Sequence, residues 1–210
     1  NFDLDEKILY LIKLQKTKFI HFSSQLVQSY GTNINDSINA DTFYGSSKIL
    51  SEYLIKNEIP NSIILRPTSV WGPAMGPPYR GFINLAKKGV IINSKSFNVL
   101  KSFVYVTSLI NQTMSFSSSL EPQSTAYLTD DPISLENWIN TVAKEYKAKV
   151  IYLPYWMLYL LSKIGNIIYF IPFNSRRLKN MTTESNIKNQ SSVPTNLLIS
   201  DLKTFRANDF

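Results

Sequence analysis

Short apolar runs alternate with segments of helical periodicity along most of this chain, and that order narrows the fold more than any single motif does. Residues 18–23, 62–66, 103–106 and 125–128 read as short strands. Residues 4–16 repeat Leu4, Ile8, Leu11 and Ile12 at helical spacing, and a second helix is expected from Tyr44 to about Asn57 with Ile49, Leu50, Tyr53 and Leu54 on one face. Further helices are expected over 82–88, from Ser108, and from Ser134, a good N-cap, to Tyr146. Residues 29–43 and 71–80 have loop composition, 150–153 are extended, and the tail from Asn174 reads as irregular as far as an apolar run at 197–199. Strands that alternate with helices pair in parallel, because a parallel pair needs a crossover, and the helix from Tyr44 is long enough to supply one. The expectation is an α/β fold with a largely parallel sheet.

Composition excludes several kinds of chemistry. The 210 residues are 44% hydrophobic and 13% aromatic, enough for one core or a core with a small lobe. Without cysteine there is no disulfide framework or thiolate site, and the single His21 builds no histidine-rich metal centre, so no metal is expected. The net charge is +7, but the lysines are dispersed and do not interleave with aromatics as in a nucleic-acid module. They read as a solvated surface, with an anionic small molecule as the functional alternative. The acidic start, Asn1 to Glu6, is unlike a signal peptide. The apolar stretch 152–173 is interrupted by Pro154, Ser162, Lys163, Gly165, Asn166 and Pro172. It therefore reads as a buried helix rather than a membrane span, and membrane contact is not expected.

Three groups of residues carry possible chemistry. Tyr44 and Lys48 stand one helical turn apart on one face. An ammonium held near a phenol stabilises the phenolate, and a phenol so placed exchanges a proton with an alcohol or carbonyl. By itself the pair also fits an ordinary exposed helical contact. Ser23 and Ser24 end an apolar strand, where ligands sit in open parallel sheets, and Ser24 could hydrogen-bond a substrate oxygen or simply cap a turn. Arg66-Pro67-Thr68-Ser69-Val70-Trp71-Gly72-Pro73 ends another strand, and Pro67 with Val70 could form an apolar wall for a cofactor ring.

Taken in order, strand-Ser-Ser, Tyr-x-x-x-Lys and Arg-Pro-x-x-Val-Trp-Gly-Pro resemble the extended short-chain dehydrogenase/reductases, the NAD-dependent epimerase/dehydratase group. Residues 103–106 and 126–134 resemble later elements of that family in register. The resemblance implies the second half of a Rossmann-type parallel sheet with a small α/β substrate-binding lobe, divided at about residues 1–75 and 76–210. It implies a sugar-nucleotide epimerase or ketoreductase using NAD or NADP, cytoplasmic, and homodimeric through the helix at 4–16 and the helix from Tyr44. Ser24, Tyr44 and Lys48 would be catalytic. Tyr44, Lys48, Pro67 and Val70 would hold the cofactor, and Ser24, Ser69, Lys101 and Arg177 the substrate, with Arg176 a spare cation.

The chain departs from that pattern in several places. Val27-Gln28-Ser29-Tyr30-Gly31 carries a local insertion, and Ser69 stands for a common asparagine. Thr107-Ser108 replaces an acidic pair, and Lys101 replaces a phosphate-binding arginine without its bidentate fork. Gln25 and Leu26 stand where dehydratases carry Asp-Glu, which argues against 4,6-dehydration. The family's opening Gly-x-x-Gly-x-x-Gly turn, whose helix N-terminus holds the pyrophosphate, is absent from the sequence, so a fragment, a split form or a degenerate member is expected, with weak NAD binding. The rival readings are a non-catalytic binding or scaffold protein on the same fold and a hydroxysteroid-type dehydrogenase with a membrane-leaning tail.

Overall fold

The computed structural model describes residues 17–28, 38–73, 75–76, 79–168 and 173–193, together with Tyr10, Ile12, Lys203 and Phe205. Most of the helix expected at 4–16, most of the loop at 29–43 and the run at 197–199 lie outside the described residues. The strands are β1 (Phe19–Phe22), β2 (Ser62–Pro67), β3 (Ser69–Trp71), β4 (Val90–Asn93), β5 (Leu100–Lys101), β6 (Phe103–Tyr105), β7 (Thr125–Leu128), β8 (Ile133–Ser134) and β9 (Lys149–Tyr152). The helices are α1 (Phe43–Glu58), α2 (Tyr79–Lys87), α3 (Val106–Ser119), α4 (Leu135–Tyr146), α5 (Tyr155–Ile167) and α6 (Ser175–Thr182). The fold is α/β with parallel strands. The chain forms two compact units, one from Asn1–Val70, Val104–Asp130 and Ile187–Thr195, the other from Trp71–Phe103, Asp131–Asn186 and Asn196–Phe210.

In the first unit β1, β2 and β7 form a parallel sheet in that order, with Phe22 opposite Leu65 and Pro67 opposite Leu128. The helix α1 is the crossover from β1 to β2. It starts where the Thr42 hydroxyl accepts the Gly45 N–H at 2.8 Å, and it ends at Glu58, two residues before Pro60. Leu65, Phe116, Ala126 and Leu128 form the core beneath α3, with Ile20, Leu109 and Leu120 packed around them. Lys18 Nζ donates to the Ser117 and Leu120 carbonyls at 2.9 and 2.8 Å and so satisfies the C-terminus of α3. The wholly buried Gln112 donates to the Thr129 carbonyl at 2.9 Å and accepts its N–H at 3.0 Å, so a side-chain amide does the work of a strand neighbour.

The inner face of α1 is only partly apolar: Ile55 is buried and Ile49 half-buried, but a charge lies between them. Leu50, Tyr53 and Leu54 are exposed, whereas Glu52 is buried. Arg66, buried in β2, donates to Glu52 through Nε at 2.9 Å and Nη2 at 2.7 Å, and through Nη1 to the Tyr127 hydroxyl at 3.1 Å. Tyr127 in turn donates to Gln28 Oε1 at 2.8 Å. Burial works to raise the Glu52 pKa, but the hydrogen-bonded Arg66 outweighs it and holds the carboxyl below its ordinary value.

In the second unit β4 and β9 pair in parallel, with α2 and α4 against them, and β5 pairs antiparallel with β8. Ser134 caps α4, accepting the Asn137 N–H at 3.1 Å, as its position suggested. The buried Trp138 stacks on Phe103 at 5.2 Å and meets Trp71 edge-on at 6.3 Å. Strands β4 and β5 have no counterpart in the sequence reading, and two helices differ from it. Residues 175–182 form a helix because Asn174 accepts the Arg177 N–H at 3.0 Å, a cap hidden in a polar tail. The helix α5 buries only Leu158, Ser162 and Gly165, so the expected buried helix is instead broadly exposed.

Two outcomes follow for stability. Glu52→Gln leaves Arg66 charged, buried and without a counter-ion, and should lower unfolding free energy by about 3–5 kcal/mol at pH 7 in urea titrations. Because the Glu52 pKa is depressed on folding, its contribution is complete above the ordinary value of 4.5 and disappears as pH falls through the folded value. The gap between the two proteins should therefore narrow in acid. Gly45→Ala places a Cβ 2.0 Å from the Leu26 carbonyl oxygen and 2.8 Å from Ala40 Cβ. The start of α1 must move, and a loss of about 1–3 kcal/mol is expected in the same titrations.

Candidate active site

The residues singled out in the sequence meet, in part, at the carboxyl ends of β1 and β2. Beyond β1, the Ser23 N–H donates to the Leu65 carbonyl at 2.8 Å and so extends the pairing with β2. Ser24 then caps a short 3-10 turn, Gln25–Val27, its hydroxyl oxygen accepting the Leu26 N–H at 3.2 Å. That bond uses the Ser24 oxygen as acceptor and leaves its own proton to donate. Lys48, on the second turn of α1, donates from Nζ to the Phe22 carbonyl at 3.0 Å, which fixes the ammonium at the end of β1.

Tyr44 lies one turn before Lys48, whose Nζ is 5.8 Å from the centre of its ring. The tyrosine is 53% exposed, and among the described residues its hydroxyl has no hydrogen-bond partner. Gly45 brings this end of α1 against the turn that follows Ser24, since the Leu26 carbonyl occupies the space a side chain would need. Gln25 Nε2 reaches Ser69 Oγ at 3.4 Å, which ties the same turn to β3. Pro67, half-buried, ends β2, and Val70 is exposed on β3.

His21 Nε2 lies 3.1 Å from Ser51 Oγ. Burial, and then the Lys48 charge, hold the imidazole pKa below its usual value, so the ring is neutral at pH 7. Ser23, buried at this strand end, helps Arg66 hold the Glu52 carboxyl low, whereas Gln25 Oε1 is buried without a hydrogen-bond partner among the described residues.

Lys101 and Arg177 belong to the second unit. The buried Lys101 donates to the Asn180 and Thr183 carbonyls at the C-terminal end of α6, and to Asn180 Oδ1 at 3.1 Å. Burial pulls its pKa down to about 8 against the opposing charge of Glu184. Arg177 is half-buried on α6.

Sequence reasoning did not find Glu52, Arg66 as its partner, or His21 with Ser51. A signal was present for the first pair. Arg66 ends an otherwise apolar strand, and a charge there needs a counter-ion within reach of the sheet. Glu52 sits one turn beyond Lys48.

No protein-family model and no curated protein matches the chain. Solved structures do. A UDP-N-acetylglucosamine 4-epimerase from Bacillus cereus superposes with a TM-score of 0.59 at 13% identity, over 91% of this chain and 65% of that one. A UDP-glucuronic acid 4-epimerase from the same organism, in complex with UDP-glucuronic acid and NAD, gives 0.64 at 18% identity, over 96% of this chain and 64% of that one. A dTDP-4-dehydrorhamnose reductase from Bacillus anthracis, in complex with NADP, gives 0.63 at 15% identity, over 96% and 69%. The chain thus spans about two thirds of the length of these enzymes. Its parallel α/β architecture, and its superposition on sugar-nucleotide epimerases and a reductase, give this chain the fold of the extended short-chain dehydrogenase/reductases.

Proposed function

We propose that this chain supplies the proton-transfer and substrate-side part of an NAD(P)-dependent sugar-nucleotide epimerase or ketoreductase. The observation that carries the reading is the placement of Lys48 Nζ on the Phe22 carbonyl, one helical turn from an exposed Tyr44 and two residues from Ser24. In this reading Tyr44 is the general acid/base on a sugar hydroxyl or its ketone. Ser24, its oxygen already engaged by the Leu26 N–H, donates its proton to the reacting oxygen. Lys48 keeps the positive charge beside the phenol and offers its remaining N–H bonds to a ribose.

The residues present suit the nicotinamide-ribose end of the cofactor. In this reading the Lys48 ammonium supplies donors, Gln25 Oε1 an acceptor and the exposed Val70 an apolar wall. When bound, the cofactor supplies hydride transfer, and the protein supplies orientation and proton handling.

We also propose a homodimer through the outward face of α1. Phe43, 99% exposed, is followed at helical spacing by the exposed Leu50, Tyr53 and Leu54, a stripe that a lone subunit leaves in water.

The reading is tested on a polypeptide in which this chain is joined to a dinucleotide-binding half, assayed for NAD(P)-dependent turnover of nucleotide sugars. Tyr44→Phe keeps the ring and should lower kcat by about 10²–10⁴-fold without loss of fold. Ser24→Ala should lower it less, by the worth of one hydrogen bond, on the order of 1–3 kcal/mol. Lys48→Met should lower kcat/KM and weaken cofactor binding by calorimetry. Unchanged turnover in Tyr44→Phe would remove the mechanism. A chain that retains no NAD(P) even with that half supplied would favour a binding protein on the same fold. For the dimer, Leu50→Glu with Tyr53→Glu should halve the mass seen by light scattering, and a monomeric parent protein would end that proposal.

A further inference from the structure

The outward side of α5 is apolar where a solvated helix would be polar. Trp156 is 62% exposed and Ile167 86%, and Leu160 and Ile164 between them are also exposed. At about 100° per residue, Trp156, Leu160, Lys163 and Ile167 fall within one quadrant of the helix, opposite the buried Leu158, Ser162 and Gly165. Lys163 is the only charged residue of the helix, and its Nζ lies 5.1 Å from the centre of the Tyr159 ring. Tyr152, Tyr155 and Tyr159 add exposed phenols along the same element and the strand before it.

The chain on either side of this helix carries charge of one sign. From Lys147 to Thr183 the chain carries six basic residues (Lys147, Lys149, Lys163, Arg176, Arg177 and Lys179) and no Asp or Glu. The helix α6 is fastened to α5, with Asn166 Nδ2 donating to Ser175 Oγ at 2.8 Å and Asn166 Oδ1 accepting the Ser175 N–H at 3.1 Å. The exposed Arg176 and Lys179 are therefore carried beside α5. At 13 residues α5 is about 20 Å long, too short for a hydrocarbon core of about 30 Å. No described helix is long and apolar enough to cross a membrane.

We propose that α5 and α6 form a peripheral docking surface for an anionic lipid bilayer, with α5 lying in the interface plane. Trp156, Leu160, Ile164 and Ile167 enter the boundary between headgroups and acyl chains. The tyrosines remain at headgroup level, where ring and hydroxyl are both satisfied. Lys163, Arg176 and Lys179 face the lipid phosphates, each near-surface cation strengthening binding roughly fivefold. An apolar face with a cation on its own helix and others on α6 beside it, and with no Asp or Glu from Lys147 to Thr183, complements an anionic lipid surface.

The chain carries its own reporter. Trp71 and Trp138 are 2% and 3% exposed, so emission that responds to the surroundings comes from Trp156. The 210-residue chain is titrated with vesicles of phosphatidylcholine alone and of phosphatidylcholine with phosphatidylglycerol. Emission should shift to the blue and be quenched by brominated acyl chains in the anionic vesicles, with at least roughly tenfold weaker partitioning into the neutral ones. Leu160→Ser with Ile167→Ser, and separately Arg176→Glu with Lys179→Glu, should each reduce partitioning at least roughly tenfold while near-ultraviolet circular dichroism stays unchanged. All four positions are exposed, so each pair keeps the core intact. No shift in anionic vesicles overturns the proposal. So does protection of Trp156 from acrylamide that rises with protein concentration in the absence of lipid, because the face would then be covered by a second copy of the chain.

Discussion

A guanidinium buried in a parallel sheet has to be answered by a carboxylate, and the Arg66–Glu52 pair sets much of what the first unit can do. Buried ion pairs are weak sources of net stability, because desolvation offsets most of the attraction. Their geometry is demanding, however. Two parallel N–H bonds at 2.9 and 2.7 Å allow α1 one rotation about its axis. With Glu52 turned inward, Lys48 stands about 40° round the helix and Tyr44 about 80°. Lys48 therefore reaches the end of β1, and Tyr44 falls on the border between packed and solvated faces. The half-exposed tyrosine beside a fixed ammonium is a consequence of where the carboxylate eight residues further on must point.

The same rotation sends Leu50, Tyr53 and Leu54 outward. A helix that buries a carboxylate and leaves several large apolar side chains in solvent is unfavourable for an isolated subunit, and it implies a further apolar surface to cover it. In the second unit α5 repeats the arrangement without a buried charge. There Ser162 and Gly165 face inward because close packing against α6 needs small residues, and Ser162 Oγ lies 3.4 Å from Ser175 Oγ. The larger apolar side chains are left on the outside. The two helices reach similar surfaces for different physical reasons.

These inversions mark where the sequence was readable and where it was not. Strand 125–128, the helix from Ser134 to Tyr146 and the crossover after Tyr44 rest on local signals: β-rich runs, a serine cap and a proline stop. The parallel order followed from their alternation. What periodicity could not reveal was which face of a helix meets the core, because hydrophobicity predicts burial only while no buried charge claims the inner face. The stripe of Leu50, Tyr53 and Leu54 was visible, but its direction depended on Glu52 finding Arg66 fourteen residues away. The helix α6 was missed for a related reason. It has little apolar content, and it is held by the Asn174 cap and by Lys101, a residue some eighty positions earlier.

Arg66 and Lys101 show two ways to place a cation inside a small protein. Arg66 meets a full negative charge, and this outweighs burial, so its pKa rises and the charge persists at every pH the fold survives. Lys101 meets mainly carbonyls at the negative end of α6, which satisfy its protons but do not supply a whole counter-charge, and its pKa falls to about 8. Since that value lies below the ordinary 10.5, folding costs more as pH falls from 10.5 toward 8, where the unfolded lysine is already charged and the buried one is becoming so. A lysine tolerates this placement because it can hold its charge or release it, whereas an arginine would carry an unanswered charge throughout. At position 101 the lysine closes the end of α6, its protons held by the Asn180 and Thr183 carbonyls.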